Sequence, residues 1–173
     1  RGPEVEAQLN EAGFTLGHFP QSFQFSTLGG WIATRAAGQT SIGYGKIEDL
    51  TQAVRIVTPV GIIETKNVPA KATGPSICDM MVGSEGIYGV ITEATMRIQP
   101  RPEIEDYRGI LFRSFADGVA AFRDLVQDDA IRPSIVRLSD EAETAAYAAM
   151  MRQHSGLRGL ADRVVASYLR LRG

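Results

Sequence analysis

The chain has 173 residues, with 18 Lys plus Arg against 20 Asp plus Glu, and 44% of it is hydrophobic, enough to bury a core of its own. A formal net charge of −2 supplies no field for a polyanion, which excludes bulk electrostatic binding of nucleic acid. Cys78 is the single cysteine, so no disulfide scaffold forms within the chain, and no apolar run approaches the ~20 residues that span a bilayer. A cytoplasmic protein is expected. The chain opens at Arg1 rather than Met, which reads as a piece of a larger protein, and it holds 18 glycines, most of them before Pro100.

In chain order, Glu4 to Ala12 places Val5, Leu9 and Ala12 at helical spacing and stops at Gly13, a C-terminal cap signal. Phe14 to Leu16 is a short strand. A short helix is expected to begin at the Gly29-Gly30 pair. Gln52 to Thr58 alternates and is β-branched, and Pro59-Val60-Gly61 turns it into Ile62 to Thr65, a β-hairpin. Gly89 to Ile98 alternates again and is the strongest strand pattern in the chain. Pro100-Arg101-Pro102 suits neither a helix nor a central strand and marks a boundary, with one domain over 1–100 and a second over 103–173. In the second, Tyr107 to Phe112 and Ser134 to Leu138 read as strands, and 115–126, 140–151 and 157–171 as amphipathic helices. The expected class is α+β, with loops rather than helix faces approaching a ligand.

Two segments carry chemistry. In Pro20-Gln21-Ser22-Phe23-Gln24-Phe25-Ser26-Thr27-Leu28-Gly29-Gly30-Trp31, two hydroxyls precede a glycine pair at a helix start, so O–H and N–H donors converge where backbone can come close to an anion such as a diphosphate. The same wording serves a capped helix whose glycines only permit tight packing, and the residues alone leave both open. In Gly83-Ser84-Glu85-Gly86-Ile87-Tyr88-Gly89-Val90-Ile91, glycines at three-residue spacing lead into a strand. The dinucleotide fingerprint runs the other way, from strand to glycines to helix, so a Rossmann site is disfavoured; these glycines would let main chain lie along a flat or extended ligand.

Taken together with Thr34-Arg35-Ala36-Ala37-Gly38, Tyr44-Gly45-Lys46-Ile47-Glu48-Asp49-Leu50 and Val57-Thr58-Pro59-Val60-Gly61, these segments resemble, in order, the second half of the FAD-binding (PCMH-type) domain of the vanillyl-alcohol oxidase flavoproteins. The Ser-Thr-Leu-Gly-Gly-Trp and Thr-Arg-Ala-Ala wording is most similar to the alkyldihydroxyacetonephosphate synthase family, as is Pro133-Ser134-Ile135-Val136-Arg137-Leu138-Ser139-Asp140, which resembles a cap-domain strand with an activity-critical arginine. The resemblance covers roughly the middle third of such an enzyme and implies an α/β cap whose first half follows the flavin domain. It implies FAD contacts from Gln21, Ser22, Phe23, Gln24, Phe25, Ser26 and Thr27, from Thr34, Arg35, Ala36 and Ala37, and from Glu85, Gly86, Ile87, Tyr88, Gly89, Val90 and Ile91. Arg137 would serve activity. The partners implied are a phosphate-bearing ketone and a long-chain alcohol, exchanged to give an ether lipid, with a homodimer for the whole protein. Gln21 stands where the family has Asp, and Ile87-Tyr88 where it has Thr-Leu. The family's first flavin loop, its histidine cluster and its catalytic tyrosine have no counterpart between Arg1 and Gly173, so this chain by itself is expected to hold flavin weakly and not to turn over substrate. Two alternatives are an FAD-linked oxidase or dehydrogenase of a 2-hydroxy acid such as D-lactate or glycolate, and a non-catalytic module of the same fold.

Single residues have plainer readings. His18 reads as a solvent-accessible loop residue, against a flavin-facing or flavin-linked histidine of the kind this superfamily sometimes uses. His154 reads as a helix-end or turn residue. Cys78 is a buried structural thiol, Met80 and Met81 are core filler, and Trp31 packs beneath the first loop. Arg137 is either a surface cation pairing with Asp140 or Glu141, or a cap residue facing flavin or phosphate. No spacing suggests a metal site, and no Gly-x-Ser-x-Gly wording supports hydrolase chemistry.

Overall fold

The computed structural model describes residues 1–70 and 72–152. Helix α1 (Gly2–Glu11) carries Pro3 in its first turn, where no amide is needed, and ends before Gly13 at φ +81°. Strand β1 (Phe14–Thr15) follows, then α2 (Leu28–Ala33), α3 (Ser41–Tyr44) and α4 (Ile47–Leu50). Strands β2 (Thr51–Thr58) and β3 (Gly61–Glu64) form the expected hairpin, and β4 (Val90–Met96) pairs antiparallel with the other side of β2. Between them lies α5 (Ile77–Met81), capped by the Ser76 hydroxyl. The order β3-β2-β4 is a sheet in which β2 is central. A second, two-stranded sheet pairs β1 with β5 (Gln99–Pro100), with Phe14 opposite Pro100. Proline fits there because the ladder is only two residues long and has a free edge.

Chain hydrophobicity is collected on the inner face of β2. Val54 and Ile56 are buried there, while Ala53, also buried, lies outside that core, as its alternation with Val54 requires. The register of β2 against β4 shifts between Thr51 and Ala53 and again between Arg55 and Ile56. The core formed with Leu16, Trp31, Ile32, Ile47, Leu50, Cys78, Met81 and Val82 lies under α2, α4 and α5. On the outer face, Arg55 bridges Glu64 on β3 at 2.9 Å and Glu93 on β4 at 2.6 Å.

Two compact units emerge. The first comprises 1–109 and 128–136 and contains all the strands among the described residues; the second comprises 110–127 and the chain from 137 onward. In the second, α6 (Phe115–Gln127) is opened by Ser114, whose hydroxyl accepts from the Asp117 amide at 3.1 Å and donates to its carboxylate at 2.9 Å. Gly118 lets Leu138 and Phe112 pack onto the helix, since a Cβ there would stand 2.8 Å from Leu138. Helix α7 (Glu141–Arg152) starts where Asp140 accepts from the Glu143 amide at 2.7 Å.

Several sequence expectations fail. Tyr107 to Phe112 and Ser134 to Leu138 are not strands: neither segment has a ladder partner among the described residues, and an alternating pattern without a partner gains no sheet hydrogen bonds. Met80 is 48% exposed, because it faces outward from a five-residue helix whose inner side is taken by Cys78 and Met81. His18 is 0% exposed rather than solvent-accessible. The expected helix over 157–171 and His154 lie outside the described residues.

Candidate functional site

The Gln21–Thr27 segment is a compact turn. Pro20 carbonyl accepts from the Phe23 amide, and Ser22 carbonyl from the amides of Phe25 and Ser26, each at 2.9 Å. This winding leaves Gln21, Ser22, Gln24, Phe25 and Thr27 exposed and Phe23 and Ser26 half-buried. Thr27 then caps α2, its hydroxyl oxygen accepting from the Gly30 amide at 3.2 Å. The two hydroxyls therefore do not converge as donors. Ser26 donates to the Ser22 carbonyl at 2.7 Å and accepts from the Trp31 indole at 2.5 Å, so it points inward, while Thr27 alone keeps its proton for a ligand.

The glycine-bearing segment is brought against the far end of the same helix. Carbonyls that α2 leaves without intrahelical partners accept from it: Ile32 from the Gly83 amide at 2.9 Å and Ala33 from the Glu85 amide at 2.8 Å. Arg35 closes the junction, its guanidinium donating to the Val82 carbonyl at 3.1 Å and lying 3.5 Å from Glu48. Gly29 packs so closely on β4 that an added Cβ would stand 3.2 Å from the Ile91 carbonyl oxygen. Left-handed backbone concentrates here, at Arg35 (φ +53°), Gly83 (+79°), Glu85 (+50°), Gly86 (+82°) and Gly89 (+155°). Residues with side chains at Arg35 and Glu85 in that region are strained, a feature that collects at ligand sites.

Thr34, Ala37, Glu85, Gly86, Ile87, Tyr88 and Val90 are exposed, and Ala36, Gly89 and Ile91 half-buried. The surface so assembled offers neutral donors: the Leu28 and Gly29 amides at the start of α2, which no helix can satisfy, and the Gly86 and Tyr88 amides, which have no backbone partner among the described residues. With six residues α2 contributes little summed dipole, so individual amides rather than a helix field would meet an anion. A cofactor with a diphosphate and a flat ring system fits this donor set. Phe23 also reaches a cavity of about 840 Å³, walled by Phe19, Tyr44, Tyr107 and Ile135 with Arg101 and Arg132 at its polar side.

Two features escaped sequence reading. Glu6, four residues after Gly2 on the inner side of α1, is buried and accepts from the Thr15 hydroxyl at 2.8 Å and from the Leu16 and Gly17 amides at 2.9 and 3.3 Å. Its place in the helical repeat was visible, but its charge argued for solvent. His18 sits edge-on to Trp31, ring centroids 5.2 Å apart, with both ring nitrogens unpartnered. Burial pushes its pKa below the usual histidine value. Arg137, in the second unit, is exposed and pairs with Glu143 rather than with Asp140 or Glu141, because α7 turns Glu143 toward it. The guanidinium holds the Glu143 carboxyl below its ordinary pKa. Among the described residues no group of His, Cys, Asp and Glu could hold a metal ion, and no helix is long and apolar enough to cross a membrane.

Comparison with known proteins meets this geometry directly. Residues 1–66 match the FAD binding domain family. FAD is accordingly the cofactor. The chain is 39% identical to alkyldihydroxyacetonephosphate synthase of Dictyostelium discoideum over 168 residues, 97% of this chain and 27% of that protein. A solved structure of an alkyldihydroxyacetonephosphate synthase superposes with a TM-score of 0.76 at 42% identity, covering 86% of this chain and 27% of the other. A D-lactate dehydrogenase of Anaerostipes hadrus is 38% identical, over 46% of this chain and 17% of its own length. The chain thus spans about a quarter of the length of its synthase relatives. The mixed helix and strand architecture agrees with the α+β class and matches that synthase structure, which has a PCMH-type flavin fold.

Proposed function

We propose that the chain is part of an FAD-dependent enzyme of the alkyldihydroxyacetonephosphate synthase type, which exchanges the acyl group of an acyl-dihydroxyacetone phosphate for a long-chain alcohol and so forms an ether lipid. The observation that carries this reading is reach. Similarity to a synthase runs through 97% of the chain at 39% identity, including the region of Arg137, whereas similarity to D-lactate dehydrogenases covers 46% of it at 38% identity and 66% at 33%.

Within this reading, Gln21 to Thr27, Thr34 to Ala37 and Glu85 to Ile91 hold the cofactor, chiefly through main-chain amides and the Thr27 hydroxyl. Bound flavin supplies an electrophilic ring system. Arg137 exchanges Glu143 for an anionic substrate group and orients it. The division at Pro100–Pro102 into a flavin domain and a cap, a cytoplasmic location and a homodimer of the whole protein belong to the same proposal.

The test uses the whole protein that contains this chain. It is expected to be yellow and to incorporate a labelled long-chain alcohol into an ether product when given acyl-dihydroxyacetone phosphate. Flavin reduction by D-lactate without alcohol incorporation would move it to the 2-hydroxy-acid enzymes. Colourless protein that ignores added FAD would leave only a non-catalytic module.

A further inference from the structure

Trp31 lies under the flavin segment, 2% exposed, as part of the core. Its indole N–H has a specific partner, the Ser26 hydroxyl oxygen at 2.5 Å. That contact orients Ser26, which donates to the Ser22 carbonyl at 2.7 Å and lies 3.0 Å from the Ser22 hydroxyl. The ring itself is stacked on Phe23 at 6.0 Å and 15°, and His18 meets it edge-on. One side chain therefore grips the Ser22–Ser26 turn at two points, by hydrogen bond and by ring. The exposed Gln24, Phe25 and Thr27 are positioned by that grip.

We propose that Trp31 is a positioning residue for flavin binding, acting through the hydroxyl of Ser26 and touching no cofactor itself. The inference rests on the reading of Ser22 to Thr27 as a cofactor segment. A donor that only fills space would be indifferent to the serine; a donor that shapes the turn makes the two residues one unit.

The experiment titrates FAD into flavin-stripped whole protein, following visible absorbance, for the parent and for Trp31→Phe, Ser26→Ala, Ser26→Thr and the Trp31→Phe/Ser26→Ala pair. Loss of one hydrogen bond is expected to raise the Kd for FAD about five- to tenfold in either Trp31→Phe or Ser26→Ala. The pair should be no weaker than the worse single, because both remove the same bond. Ser26→Thr, which keeps the acceptor oxygen, should bind near the parent value, and it carries the test together with Ser26→Ala if Trp31→Phe does not fold. Multiplying losses in the pair, an unchanged Kd in Ser26→Ala, or Ser26→Thr binding as poorly as Ser26→Ala would overturn the proposal. A parent protein that binds no FAD would instead remove the flavin reading of the segment.

Discussion

Four glycines of the first unit separate two costs that are usually confounded, backbone strain and steric overlap. At Gly89, φ is +155° and an added Cβ would stand 2.2 Å from the Val57 carbonyl oxygen, 3.0 Å from its carbon and 3.1 Å from Thr58 Cα. All three atoms are main chain at the end of β2, which is held to β4 by the Val57–Val90 pairing, so relief requires loosening the central ladder. At Gly61, φ is +140° with nothing within 4 Å, so only strain applies. At Gly38, outside the left-handed region, a Cβ would meet the Phe19 carbonyl at 2.6 Å, so only overlap applies. Gly109 has neither. With about 1–3 kcal/mol for a strained backbone position and about 1–3 kcal/mol for overpacking, Gly89→Ala is expected to cost about 2–6 kcal/mol, Gly61→Ala and Gly38→Ala about 1–3 each, and Gly109→Ala under about 0.5. Urea unfolding followed by circular dichroism measures all four. If Gly89→Ala matches Gly61→Ala within error, the close approach of the glycine loop to β2 is not real and the argument fails.

Other predictions concern buried charge, the loop clamp and the cap arginine. Because burial depresses the folded-state pKa of His18 below the unfolded value near 6.5, its term is constant above pH 6.5, and stability falls as pH drops from 6.5 through the folded pKa, where only the unfolded chain is protonated. His18→Phe should flatten that acid limb in melting temperature against pH; an unchanged slope would assign it to other groups. Arg35→Ala removes the clamp on the Val82 carbonyl but keeps a Cβ at the strained φ of +53°, so FAD affinity is expected to fall, while Arg35→Gly, which relieves that strain, recovers stability without recovering affinity. Equal affinity in Arg35→Gly and the parent would show that the loop needs no clamp. Arg137→Ala breaks a pair whose side chains are 64% and 47% exposed, so thermal stability should change by less than about 1 kcal/mol while alcohol exchange by the whole protein collapses. A variant with parental turnover would take Arg137 out of the reaction.

Elements with their own periodicity were readable, and elements defined by a partner were not. The hairpin at Pro59–Gly61 and the strand over Val90–Met96 follow from alternation and turn chemistry within a few residues, and α2 follows from Thr27 ahead of the glycine pair. Ser134 to Leu138 alternates equally well but forms no strand, since alternation states only that one face is apolar and not that a ladder partner exists. Likewise His18 is misjudged by residue type and Glu6 passes unnoticed. A carboxylate that receives three hydrogen bonds and an imidazole sheltered by an indole are both set by atoms brought from elsewhere in the chain.

The same distinction bears on the two segments proposed to hold flavin. They lie far apart in sequence, yet their junction is made almost wholly by main chain: α2 carbonyls of Ile32 and Ala33 receive the amides of Gly83 and Glu85. Amides are common to every residue but proline, so such a junction constrains backbone conformation and leaves side chains free wherever they point outward. Ile87 and Tyr88, which the sequence reading sets apart from the family's wording, are 75% and 42% exposed and take no part in it. The glycines cannot vary in that way. Ile87→Thr with Tyr88→Leu should therefore leave FAD affinity and stability near parental values, whereas Gly83→Ala, at φ +79° with its Cβ 2.9 Å from Arg35 Nε, should weaken FAD binding severalfold. If the double surface change weakens flavin binding as much as the glycine change, side chains and not backbone recognise the cofactor in this segment.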